Sequence, residues 1–199
     1  NITKINLSKV PQLVWLDCKE NNISTIDLRY LPNLTGLDCK SNQITNLDFS
    51  SSTNITWIDC SKNKLQQLDI SLLTDLTWIQ CKENLLFDIN LPKKSKLREL
   101  LCENNKLHSL PIHDCKLLNE LVCSNNTLTI LDLRGNDNLI HIDCHNNKIK
   151  KIELPESNKL NYLDCKKNRL ETINFWETPN IRILNISVNP IDCIDIRGL

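Results

Sequence analysis

The stretch ITWIDCSKNKLQQLDISLLTD, Ile55–Asp75, decides how this chain folds. Leu or Ile stands at its first, fourth, eleventh, fourteenth and sixteenth places, Cys at the sixth and Asn at the ninth. Moved along by its own 21 residues, the pattern fits again. Leu13, Leu34, Ile55, Leu76, Leu97, Leu118, Leu139, Leu160 and Ile181 each open such a unit, with no insertion or deletion between them. A short, unbroken period of this kind marks a solenoid, in which each coil buries its apolar face only against its neighbours.

Each column of the repeat has a physical task. The ninth place is Asn in every unit: Asn21, Asn42, Asn63, Asn84, Asn105, Asn126, Asn147, Asn168 and Asn189. An amide side chain both donates and accepts, so stacked Asn residues are expected to satisfy backbone groups of a turn buried between coils. The sixth place is Cys18, Cys39, Cys60, Cys81, Cys102, Cys123, Cys144 and Cys165, then Ile186. These small apolar side chains are expected to point inward from a short parallel strand. Leu65, Leu68 and Ile70 complete the core of their coil.

These units resemble bacterial leucine-rich repeats over essentially the whole chain. The 21-residue length with Cys at an apolar place is similar to the cysteine-ladder internalins, cell-surface proteins of a Gram-positive pathogen. The resemblance implies a right-handed solenoid with a parallel sheet on its concave side. It also implies a surface or secreted module used in adhesion, virulence or recognition of a host partner.

Composition narrows the function. With 24 basic and 24 acidic residues the formal charge is zero, which argues against a nucleic-acid binder that neutralises phosphates. The same balance removes a polybasic route to a membrane surface. No apolar run approaches the roughly 18 residues needed to span a bilayer, so no membrane insertion is expected. The ten cysteines do not read as disulfides: in-register Cβ vectors on parallel strands suit the required dihedral poorly, and buried thiols behave as small hydrophobes. Cys115 and Cys193 lie off the ladder, about four coils apart, and are not expected to pair. No C-x-x-C motif supports a zinc site. Asn-x-Ser/Thr triplets, among them those at Asn22, Asn33, Asn54, Asn125 and Asn185, would crowd a secreted eukaryotic solenoid with glycans and so favour a bacterial or cytosolic setting.

Taken in order, 1–12 is the back half of a partial unit, 13–180 holds eight full repeats, and 181–199 is a divergent, truncated last repeat. The chain starts at Asn1 and contains no Met, and it reads as a piece of a longer protein without its own targeting signal. After the Asn, too few residues remain for a helix. The convex side is therefore expected to be thin, built of extended or 3-10 segments.

Alternation along the strand leaves the third, fifth and seventh places facing outward, and these are free to carry function. The third column runs Trp15, Gly36, Trp57, Trp78, Glu99, Glu120, His141, Tyr162, Ile183. The fifth opens Asp17, Asp38, Asp59, and the seventh holds Lys19, Lys40 and Lys82. Exposed Trp and Tyr are the usual anchors of an interface, so Trp15, Trp57, Trp78 and Tyr162 are the expected contact residues, with His141 beside them. The opposing reading packs the Trp rings on Thr35, Thr56 and Thr77. Pairing between the Asp and Lys columns equally explains their presence. Leu101 and Val122, ringed by Glu99, Glu103 and Glu120, form a second candidate contact point. Trp176, beside Phe175 on the back, reads as local packing.

Chemistry finds little footing. His141, Asp143 and His145 share one face, but the two His residues stand roughly 13 Å apart along a strand and cannot hold one ion together. A metal would need one of them plus carboxylates from adjacent strands; no metal or other cofactor is expected. No nucleophile elbow, phosphate loop or zinc-protease motif is present, so no enzyme is expected. The function implied is binding of another protein, for instance a host surface protein, across the concave sheet at a bacterial surface or after secretion. The alternatives are a glycan held on the Trp stripe, the delivery part of an effector whose catalytic domain lies elsewhere, and a spacer.

Overall fold

A computed structural model describes residues 1–194; the final five residues of the divergent last repeat lie outside the described part. Three residues of strand per coil suffice, because each strand is completed by the next coil. The strands Trp15–Asp17, Gly36–Asp38, Trp57–Asp59, Trp78–Gln80, Glu99–Leu101, Glu120–Val122, His141–Asp143, Tyr162–Asp164 and Ile183–Asn185 form one nine-stranded parallel sheet. Register is set by the repeat itself: Trp57 pairs with Trp78, Ile58 with Ile79, Asp59 with Gln80. A one-residue slip would turn every core side chain to solvent.

The opposite side is thin, as the short return segment requires. Among the described residues it holds a 3-10 turn, Leu28–Tyr30, and two pairs of short parallel strands. Gln67–Asp69 pairs with Asp88–Asn90, and Ile130–Asp132 with Lys151–Glu153. No helix there is long and apolar enough to cross a membrane.

The core is the inside of the coil. In the central unit Ile55, Ile58, Cys60, Leu65 and Ile70 are fully buried, and Leu68 nearly so. The eight stacked thiols are free and buried, as is Cys115, while Cys193 is free and exposed. Burial pushes the ladder thiols up, Cys18 to about 11 and Cys165 to about 12, so they stay protonated at neutral pH.

What joins coil to coil beyond the sheet is the Asn column. Asn63 Oδ1 accepts the Ile44 N–H of the preceding coil at 2.9 Å, while Asn63 Nδ2 donates to Cys39 O at 3.0 Å and Cys60 O at 3.1 Å. One amide thus satisfies three backbone groups on two coils. Asn42, Asn84 and Asn126 repeat this pattern. Two separate polar side chains tie the convex side: Ser52 Oγ donates to Leu28 O and Leu31 O, and Asn136 Nδ2 to Ile112 O and Cys115 O.

The turn into the Asn column demands left-handed backbone at the residue before it. Glu20, Ser41, Lys62, Glu83, Asn104, Asn125, Asn146, Lys167 and Val188 all have φ between 53° and 58°. For an L-residue this conformation costs about 1–2 kcal/mol, least for Asn and most for a β-branched side chain. Val188 is the costliest occupant, and its side chain is exposed, so it gains little by packing. Val188→Asn is expected to stabilise the fold by about 1 kcal/mol, measured as a higher urea midpoint at unchanged slope. An unchanged or lower midpoint would show that the turn carries no such strain.

Candidate functional site

The third-position side chains of successive strands lie about 4.8 Å apart, close enough for flat rings to stack. Trp57 and Trp78, register partners, do so with centroids 4.6 Å apart and planes 2° from parallel. Trp15 should be out of reach, since a whole strand separates it from Trp57. That strand carries Gly36 at the matching place. The Trp15 ring leans across the bare Gly36 backbone and meets Trp57 at 5.0 Å, tilted by 33°. A Cβ at position 36 would collide with Trp15 Cε3 and Cζ3. One glycine therefore closes a gap in the column and yields a continuous ladder of three indoles over the first four coils.

Further along the same column the register places Glu99 beside Glu120, then His141 beside Tyr162. The last two rings also stack, 4.2 Å apart and within 3° of parallel. The concave face thus has an aromatic ladder near one end, two carboxylates in the middle and a smaller aromatic pair near the other. Trp15, half exposed, is the most accessible of the indoles; Trp57 and Trp78 are half-buried by their own stacking. Beside them Thr56 Oγ1 donates to Thr35 O and Thr77 Oγ1 to Thr56 O.

The fifth-position acids turn out to have local work. Asp17, Asp38, Asp59, Asp143 and Asp164 each accept the backbone N–H two residues ahead, at 2.9–3.2 Å, and so cap the end of their strand. Asp38 and Asp59 are buried in the process, although strand alternation alone turns them outward. Of the three Lys residues, Lys19 bridges two acids, Asp17 at 3.0 Å and Asp38 at 3.2 Å. Its ammonium and backbone N–H hold the Asp17 carboxyl below the usual carboxylate range. Lys82 lies 3.6 Å from Glu103. Lys40 makes no ion pair among the described residues.

Leu101 and Val122 are half-buried, with Glu99 and Glu120 on the same strands. Trp176 departs from the expectation of local packing: its side chain is 64% exposed, and Phe175 alone fills the core there. A single residue decides which of two adjacent aromatics faces in, and bulk alone does not reveal it. Sequence reasoning also passed over Gly36 as a site residue. Its signal was present, as the one glycine interrupting a column of Trp.

A family description, leucine-rich repeats in two copies, matches residues 11–52. Curated protein sequences give no match. Among solved structures, the functional domain of InlJ from Listeria monocytogenes, described as including a cysteine ladder, is similar at 28% identity with a TM-score of 0.74. That likeness covers all of this chain and 49% of the InlJ chain, so this chain spans about half the length of that relative. The LRIM1/APL1C complex is similar in fold at 19% identity and a TM-score of 0.81, over 95% of this chain and 37% of that one. The internalin InlF of Listeria monocytogenes follows at 22% identity and 0.63, over 96% and 66%.

The Gly36 arrangement makes a direct prediction. Gly36→Ala keeps an allowed backbone but pushes Trp15 off Trp57, so the exciton signal of the coupled indoles in circular dichroism should weaken and quenching by acrylamide should rise. A spectrum superimposable on wild type would refute the ladder. By fold, the chain is a parallel-sheet solenoid of leucine-rich-repeat type.

Proposed function

We propose that the concave sheet binds another protein, with the Trp15–Trp57–Trp78 ladder as its anchor. The observation that carries this reading is the ladder itself. Three indoles are pre-stacked on a rigid sheet, so a partner need not immobilise them on binding. Large aromatic side chains held in place are the usual source of binding energy in interfaces. Glu99 and Glu120, next in the column, favour a basic group on the partner beside the apolar contact. Tyr162 and His141 offer a second, smaller foothold some four strands away. Lys19, Lys40 and Lys82 set the polarity of the far edge of the face, with Asp17; the buried Asp38 and Asp59 act through their neighbours.

The setting we propose is a bacterial surface or secreted protein acting in adhesion or recognition of a host partner. The likeness to InlJ over the full chain, with Cys stacked coil on coil in both, supports it. A glycan partner is less favoured by the same geometry. Sugars stack on free ring faces, and here the facing surfaces of Trp57 and Trp78 already cover each other.

The test is capture from host and bacterial surface extracts by wild type and by a Trp15→Ala, Trp57→Ala, Trp78→Ala variant, both checked for equal melting. A partner held by wild type should be lost by the variant, at a cost of about 2 kcal/mol per anchor removed. Equal capture by both would remove the ladder from the interface and leave a spacer or delivery role.

A further inference from the structure

The register of the sheet sets fifth-position acids side by side, and like charges directly opposite one another are unfavourable. The first two coils show how this molecule answers. Asp17 and Asp38 are partners, and Lys19, two residues past Asp17, lays its ammonium between them at 3.0 and 3.2 Å. Asp143 and Asp164 are partners in the same way six coils later. The residue two past Asp143 is His145, in the place that Lys19 holds.

His145 Nδ1 lies 2.6 Å from Asp143 Oδ1, and one ligand atom each from Asp143, His145 and Asp164 fall within 4.8 Å of one another. All three side chains are half-buried. Lys166 stands where it could neutralise Asp164, yet it makes no ion pair among the described residues. Asp164 takes only neutral donors, the Lys166 backbone N–H at 2.9 Å and Asn185 Nδ2 at 3.0 Å. With His145 in the place of Lys19, Asp143 and Asp164 lack the lysine ammonium that Asp17 and Asp38 share.

We propose that Asp143, His145 and Asp164 form a binding site for a divalent transition-metal ion of the zinc class. One imidazole nitrogen and two carboxylate oxygens are a donor set that such ions accept, and the ion takes the place of the Lys19 ammonium. At bond lengths of about 2.1 Å, donor atoms around the ion sit about 3.4 Å apart. The present cluster reaches this with small side-chain rotations, the proton between Nδ1 and Oδ1 being displaced. An open cavity of about 270 Å³, lined by His145, Asp164, Asn125 and Asn146 and by the lysines Lys166 and Lys167, adjoins the cluster and leaves room for water or a partner group on the ion. The sequence required one of the two His residues plus carboxylates from adjacent strands; the structure groups His145 with Asp143 and with Asp164 of the next coil, while His141 is engaged with Tyr162.

The test is calorimetric titration of the protein with zinc chloride alone, in a Cys193→Ser background that removes the exposed thiol. His145→Lys is the decisive variant, since it installs the Asp–Lys–Asp arrangement already folded around Lys19. Wild type should bind a single zinc ion. His145→Lys and Asp164→Asn should each weaken that binding by roughly tenfold or more, with melting unchanged in the absence of metal. No zinc uptake by the parent, or equal affinity in His145→Lys, would overturn the assignment.

Discussion

Every coil depends on one side-chain amide. Where the chain turns out of the sheet it leaves a buried N–H on one coil and carbonyls on two, and no strand remains to pair them. Asn reaches all three: Asn63 takes Ile44 N–H and gives to Cys39 O and Cys60 O. A buried backbone group without a partner costs about 1–3 kcal/mol, so losing the amide costs more than any single apolar contact in the turn. Asp could accept but not donate, and Gln places its amide one bond too far out. The requirement repeats every 21 residues, and so the residue does too.

Holding the coils in step has a consequence for the outer surface. Because register is fixed, whatever occupies one strand position forms a straight column across the concave face. Equal spacing turns Trp57 and Trp78 into a stack, Asp143 and Asp164 into a charged pair, and His141 and Tyr162 into a second stack. The same scaffold with other letters at these places would present a different face. The buried amides and thiols carry the fold, and the three outward columns carry the difference between one solenoid and another.

The solenoid was legible because its constraints recur. Core places repeat nine times, and Leu65, Leu68 and Ile70 lie where the pattern sets them. The thin convex side followed from counting residues after the Asn. What the sequence concealed was conformational or cooperative. The left-handed residue before each Asn is Glu, Ser, Lys or Val in six coils and Asn in three, so composition gives no sign of it. Alternation set Asp38 and Asp59 outward, yet both are buried and accept the Lys40 and Ser61 N–H groups. Trp15 meets Trp57 across a whole strand because Gly36 has no side chain, a three-residue effect that a column of single letters does not display.

If the amide column governs the stack, the backbone N–H groups it holds must open only when the coils come apart. Hydrogen exchange by NMR at Ile44, Leu65, Leu107 and Ile149, whose N–H groups donate to Asn63, Asn84, Asn126 and Asn168, measures this directly. The account predicts protection equal to that of the slowest strand amides, with all four falling together as denaturant rises. Exchange at the rate of exposed turns, while the strands stay protected, would contradict it and leave the sheet and apolar core to hold the solenoid alone.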